Sequence, residues 1–146
     1  MAFANQFDNF IGEYKTSSQV QIIKNAKWCN RFNFKEIVGL KVEANTQGYE
    51  QSHVLYILNP HGWSGLPVMN YDQKGDFMTS PNWARTTGSA NLASNEWGSL
   101  VGDEKETLTV SIEKTGLDYT FSMVEALNEN SVLTASCSYQ VKLVKK

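Results

Sequence analysis

The sequence predicts an all-β protein, a single up-and-down antiparallel β-barrel of about eight to ten strands with a short N-terminal helix. Hydrophobic residues alternate with polar ones through most of the chain, which is the period of strands that bury one face. Short turn-forming segments separate these runs, as in a meander. Many short strands hide their edges by closing into a barrel or pairing as a sandwich, and we predict the barrel.

The N-terminal helix is predicted over residues 3–11, where Phe3, Phe7 and Phe10 recur at helical spacing. Gly12 can end this helix, which would cover one end of the barrel. The period then changes to two. The first four strands are predicted over residues 14–22, 28–38, 40–44 and 49–58.

The middle of the chain is the least regular part, because all three prolines lie there. Pro67 begins a short run at 66–71 and indicates an edge strand, since proline cannot donate to a ladder. A hairpin turn at 72–75 leads into the run 76–87, which Pro81 interrupts. Alternation then becomes clearer toward the C-terminus. The remaining strands are predicted over residues 89–100, 108–113, 119–127 and 133–143.

Composition limits the function classes. A chain of 146 residues forms one domain with a core of its own. A net charge of −2 argues against binding to nucleic acid, which needs a concentrated basic field. The chain has neither a hydrophobic run long enough to span a membrane nor a signal-peptide pattern, so we expect a cytoplasmic protein. No cofactor is expected, and a homodimer remains open.

Neither the cysteines nor the histidines have the spacing of a metal site. Cys29 and Cys137 lie in separate predicted strands, and we expect two buried thiols in a reducing compartment, with a disulfide as the alternative. His53 and His61 lie eight residues apart without further ligands at a recognised spacing. We therefore predict no metal site.

Two short motifs resemble the calycin barrels, the lipocalin and fatty-acid-binding group. Those chains commonly open with a helical turn that leads into a Gly-x-Trp motif, which reads Gly12-Glu13-Tyr14 here. Residues 130–146, a turn followed by a long alternating strand with basic residues at its end, are similar to the closing strand of fatty-acid-binding proteins. This resemblance implies a barrel that encloses a small apolar molecule.

The chain departs from both calycin groups. No helix-turn-helix lid follows the first strand, and the Arg-x-Tyr clamp of fatty-acid-binding proteins reads Cys137-Ser138-Tyr139. The long C-terminal helix of lipocalins is missing from the pattern. The sequence is also loosely similar to an uncharacterised family of small bacterial lipocalin-like proteins. The shared features are an initial Gly-Glu-aromatic, a basic last strand and a hairpin carried here by Tyr71, Asp72, Gly75 and Phe77.

Four titratable residues share a strand face with hydrophobic neighbours, namely Glu36, His53, Arg85 and Glu125. A charge that points into a barrel must be paired or shift its pKa. One interpretation is an internal bridge from Arg85 to Glu125 or Glu36, or a charged residue at a strand end that reaches solvent. The other makes Arg85 a bidentate anchor for a ligand carboxylate or polar head. Trp63, between two glycines, is predicted in a loop at the barrel entrance.

These patterns favour a non-catalytic barrel that binds a small, largely apolar or aromatic molecule. Two alternatives remain open. The first is a small enzyme of the isomerase or cyclase type, with Glu125 or His53 as an enclosed acid or base. The second is a structural or oligomerising domain with a filled interior. The predicted ligand-binding residues are Tyr14, Trp28, Phe34, His53, Trp63, Trp83, Arg85, Phe121, Met123, Glu125 and Tyr139.

Overall fold

A computed structural model describes residues 6–24, 31–45, 51–69 and 83–146. Within these ranges the protein is all-β, as predicted, with ten strands and two short 3-10 helices. The 3-10 helices are Gln6–Phe10, called the N-terminal helix below, and Arg31–Glu36, called the second helix. The strands are β1 (Gly12–Thr16), β2 (Gln21–Lys24), β3 (Gly39–Ala44), β4 (Gln51–Asn59), β5 (Gly62–Met69), β6 (Trp83–Ser89), β7 (Leu92–Val101), β8 (Glu104–Thr115), β9 (Asp118–Glu129) and β10 (Val132–Lys145).

The strands form one antiparallel, barrel-like sheet in the order β5-β4-β3-β1-β10-β9-β8-β7-β6. Consecutive strands are neighbours over most of this order, which confirms the up-and-down meander. The first strand also pairs with the last, so the sheet curls back on itself. The sheet is not closed, because among the described residues no ladder joins β5 to β6. The predicted hairpin at 72–75 lies outside the described residues.

The strand predicted over 14–22 is two strands, β1 and β2, which pair one after the other with the same side of β10. The backbone N–H of Ser17 donates to the carbonyl of Lys142 at 2.8 Å. The N–H of Lys142 in turn donates to the Ser18 hydroxyl oxygen at 2.9 Å. These two hydrogen bonds satisfy the backbone of β10 where the two short strands separate.

The strand predicted over 28–38 is wrong from Arg31 onward, where the chain forms the second helix. Phe34 and Ile37 are both buried and lie three residues apart, which is one 3-10 turn. The N–H of Ile37 donates to the carbonyl of Phe34 at 3.2 Å. Glu36 and Val38 are exposed, so they do not share the buried side of Phe34 as predicted.

The barrel has two different ends. At the helix end lie the N-terminal helix and the turns that join β6 to β7 and β8 to β9. At the far end lie the turns that join β4 to β5, β7 to β8 and β9 to β10. The second helix lies beside the far end, where Glu36 contacts His61 in the β4–β5 turn. Each end of the barrel therefore has one short helix beside it.

The interior is a single hydrophobic cluster built from the inward side chains of the sheet and from both helices. The most regular alternation is in β8 to β10, where buried and outward residues alternate along each strand as the sequence predicts. Cys137 lies in this part and is buried and disulfide-bonded, so the prediction of a free thiol is wrong for this residue. The spacing of cysteines in the sequence does not show which strands become neighbours, so it could not predict this disulfide. Cys29 lies outside the described residues.

Candidate functional site

Three aromatic rings meet in the interior of the barrel. The Phe34 ring of the second helix stacks on Phe121 of β9, with the ring centres 5.6 Å apart and the planes at 19°. Phe34 also contacts Tyr139 of β10, with the ring centres 4.9 Å apart. All three side chains are almost completely buried. We call these residues the aromatic slot, and the sequence predicted all three as ligand-binding residues.

The alternation of β9 and β10 positions the walls of this slot. Phe121, Met123 and Glu125 follow one another at every second position of β9, so they point inward together. The register places Met123 opposite Tyr139 and Glu125 opposite Cys137. Glu125 therefore lies beyond the aromatic slot in the direction of the far end.

Polar side chains are buried in the same half of the barrel. Glu125 is only 3% exposed, and Asn95 and Ser99 of β7 are also buried. The hydroxyl of Thr86 donates to Oδ1 of Asn95 at 2.6 Å, which ties β6 to β7 inside the sheet. Sequence reasoning placed Glu125 correctly and missed Asn95 and Ser99. Their signal was visible, since both share the inward phase of Trp97 in β7.

Arg85 and Trp83 do not line the interior, which corrects the prediction for both. On β6 the buried residue is Ala84, so its two neighbours belong to the outer face and Arg85 is exposed. The Trp83 ring covers Gly98, where an added side chain would collide with the indole. Its Nε1–H donates to Oε1 of Glu96 at 2.9 Å. An inward Arg85 is therefore excluded both as a bridge to Glu125 and as a ligand anchor.

His53 is buried, as predicted, but it lies at the helix end and not beside Glu125. Its Nε2 is 2.7 Å from Oδ1 of Asp8 in the N-terminal helix, and its Nδ1 is 3.0 Å from the hydroxyl of Ser52. Its ring also contacts Phe7. Six strand residues, or about 20 Å, separate Glu125 from Tyr119, which contacts the same helix. One bound small molecule would not contact His53 and Glu125 together.

The contacts of His53 resemble a serine–histidine–aspartate relay, but the Ser52 hydroxyl is directed at the backbone. The Ser52 hydroxyl donates its single hydrogen to the carbonyl of Val68 at 3.2 Å. The same hydroxyl oxygen lies 3.0 Å from Nδ1 of His53, and the opposite ring nitrogen, Nε2, lies 2.7 Å from the Asp8 carboxylate. The His53 ring is therefore held from both sides. This arrangement anchors the N-terminal helix.

Tyr14 seals the helix end from the side of β1. Its hydroxyl donates to the carbonyl of Phe10 at 2.6 Å, and its ring packs against Tyr119 with the centres 4.9 Å apart. Burial, together with the neighbouring Tyr119, raises the pKa of Tyr14 well above its usual value. The sequence placed Tyr14 in the interior correctly, but this residue belongs to the seal and not to the aromatic slot.

Trp63 lies on strand β5, which corrects the prediction of a loop at the barrel entrance. Its side chain is 62% exposed and is on the outer face of the sheet, where it contacts Tyr56. Trp28 lies outside the described residues. Of the predicted ligand-binding residues in the described part, the structure brings together Phe34, Phe121, Met123, Glu125 and Tyr139.

Searches for similar proteins add no functional assignment. No protein-family model, no curated protein and no solved structure matches this chain. Within the described residues, no three His, Cys, Asp or Glu side chains form a group that could hold a metal ion. Neither of the two helices in that part of the chain is long and apolar enough to cross a membrane.

Proposed function

We propose that this protein binds a small, largely apolar or aromatic molecule inside its barrel, without catalysis. The observation that carries the proposal is the position of the Phe34 ring. This ring comes from a short helix and not from the sheet, yet it lies between β9 and β10 residues in the interior. The second helix therefore occupies space that the strands leave between their walls. A flat ligand ring would make the same contacts with Phe121 and Tyr139.

The polar groups beside the aromatic slot suit a ligand with one hydrogen-bonding group. Tyr139 and Glu125 lie on a diagonal of the β9–β10 ladder, so their backbones are about 7–8 Å apart. Burying a carboxylate is costly in a core that only needs to be filled. A ring with a donor at one end fits both residues. The resemblance of residues 7–14 and 130–146 to calycin barrels supports the same type of ligand.

Access from the far end requires the second helix to move away. The ion pair between Nε2 of His61 and Oε2 of Glu36 measures 2.9 Å, but both side chains are more than half exposed. Exposed pairs of this kind contribute at most about 1 kcal/mol. The main cost of opening is therefore the loss of Phe34 burial, which the burial of a ligand ring would offset.

The test is a calorimetric titration of the intact protein with 4-methylphenol and with toluene, which has the same ring without the hydroxyl. We expect both to bind, and we expect Phe34→Ala to bind them about tenfold more tightly or better, because the internal ring no longer competes. Phe10→Ala is the matched control, since it removes an equally buried ring from the helix end. Its affinity at the aromatic slot should equal that of the wild type, and binding in the cavity that Phe10→Ala leaves should appear as a separate step that Glu125→Gln does not change.

Glu125→Gln tests the polar end of the ligand. We expect it to weaken 4-methylphenol several-fold and to leave toluene unchanged, because only the phenol can donate to the carboxylate. Binding by Phe34→Ala but not by the wild type would describe a cavity made by the mutation and would contradict the proposal. Absence of binding to both would identify the interior as a filled core.

A further inference from the structure

The outer face of the sheet carries an exposed aromatic residue that the interior site does not use. Trp63 is 62% exposed although tryptophan is the largest apolar side chain. Its ring is held in place, because Tyr56 of β4 packs edge-on against it with the ring centres 5.5 Å apart and the planes at 84°. An indole held in one orientation on a strand can be a flat binding surface without a further ordering cost.

The backbone beside Trp63 keeps this surface open. Gly65 follows on the same face of β5 and is paired with Tyr56 in the register. A Cβ atom at Gly65 would lie 3.2 Å from the Tyr56 ring, so the tyrosine lies over the glycine. The Trp63 side chain therefore projects from the outer face of the sheet, next to a flatter surface made of Tyr56 and Gly65.

A charged side chain covers part of one face of the indole. Nζ of Lys41 in β3 lies over the Trp63 ring, 5.3 Å from its centre, and 2.6 Å from Oε1 of Glu43, so a stacked ligand would lie on the remaining exposed indole surface. It is also 4.0 Å from Oε1 of Glu13. The hydrogen bond to Glu43 raises the pKa of Lys41, so this amine stays charged. Both carboxylates are about half exposed and can accept further hydrogen bonds.

We propose that Trp63, Tyr56, Lys41 and Glu43 form a second binding site, on the outside of the barrel, for a neutral pyranose sugar of an oligosaccharide. A pyranose has C–H bonds on one ring face, which are attracted to the negative face of an indole. Its hydroxyls lie around the ring edge, where they would meet Glu43 and Lys41. This site does not depend on the interior of the barrel.

Size and charge favour a sugar over other ligands. A stable protein interface buries about 800 Å² on each partner, far more than one indole presents. The charges beside Trp63 are paired with one another, since Lys41 contacts Glu13 and Glu43 and Lys146 contacts Glu13, so no excess positive charge is left to attract a phosphorylated or sulfated ligand. A fatty chain would have to cover these charges without satisfying them. A neutral polyol with one apolar face has neither difficulty.

The experiment is an NMR titration of the ¹⁵N-labelled intact protein with cellohexaose, chitohexaose and mannohexaose. Trp63→Phe assigns the indole N–H signal of Trp63 among the four tryptophans. We expect a saturable shift of this signal with at least one of the three sugars. Trp63→Ala should weaken binding about tenfold or more, because it removes the apolar area that the sugar covers. Trp63→Phe should keep part of the affinity.

Two further variants examine the polar edge of the site. Glu43→Gln and Lys41→Met should each weaken binding a few-fold, since each removes a hydrogen-bonding group without removing the indole. Leu117→Ala is the control, because Leu117 is an apolar residue even more exposed than Trp63 and lies in the turn between β8 and β9. It should bind as the wild type does. Absence of any Trp63 shift, or undiminished affinity in Trp63→Ala, would overturn the proposal.

Discussion

The two ends of the barrel are closed by short helices of the same type, but different interactions hold each helix in place. The N-terminal helix is fixed by two polar contacts on buried partners in the barrel, Asp8 to the buried His53 and the carbonyl of Phe10 to the buried Tyr14, although Asp8 itself is 54% exposed. Among its described side chains, the second helix contributes the buried ring of Phe34, and its described ion pair with the far end is exposed. Phe10 and Phe34 are equally buried, but we expect Phe34 to leave the interior more easily, because fewer described polar contacts hold its helix in place.

The largest difference in the free energy of unfolding should appear when the buried aromatic ring at each end, Phe10 or Phe34, is removed. Phe10→Ala should lower the free energy of unfolding by about 3–5 kcal/mol, since the helix end is fixed and collapses poorly around a cavity. Phe34→Ala should cost less, because the second helix can shift to fill or expose the space. Urea denaturation measures both. Equal losses, with no change in the slope against urea, would remove the distinction between the two ends.

A smaller effect is expected for Tyr14→Phe, which leaves the buried carbonyl of Phe10 without its donor. The loss should be about 1–3 kcal/mol at neutral pH. Burial raises the pKa of Tyr14, so the folded state favours the neutral phenol. The stabilisation is complete below the usual tyrosine pKa of about 10 and falls as the pH rises above it. Denaturation from pH 8 to pH 11 should show a decline in the wild type that is reduced in Tyr14→Phe.

The smallest expected effect is the difference in coupling free energy between the two histidine contacts, measured by double-mutant cycles. The cycle of His53 and Asp8 should give a coupling of about 1–2 kcal/mol, because His53 is buried. The cycle of His61 and Glu36 should give about 0.5 kcal/mol or less, because both side chains are exposed. Alanine variants measured in urea provide both values. A coupling at His61 as large as that at His53 would mean that the second helix is held to the barrel as strongly as the N-terminal helix.

The sequence predicted the fold class and the C-terminal half of the sheet, because long strands with one buried face have a clear period. β8, β9 and β10 extend the predicted runs at both ends and keep their phase, so Phe121, Met123, Glu125 and Tyr139 were placed correctly. Their alternation depends only on the strand itself. No knowledge of the neighbouring strands was needed.

The sequence predictions fail where contacts with other parts of the structure determine whether a side chain points into the barrel or outward. Trp83 set the predicted phase of β6, yet it points outward because Gly98 on β7 leaves room for its ring, and Arg85 follows the same phase. Phe34 was assigned to a strand, although its spacing to Ile37 equally fits a 3-10 turn. A short apolar run without a long period does not distinguish the two structures.

The pairing of β10 with both β1 and β2 has a consequence for how the chain folds. Residues near position 14 pair with β3 on one side, but on the other side their partners lie near position 145, so those contacts span almost the whole sequence. A growing chain exposes the unpaired edges of β1 and β9 until β10 has been made and inserts between them. Such distant pairing slows folding. The protein should therefore be most prone to aggregate during synthesis, before the last strand emerges from the ribosome.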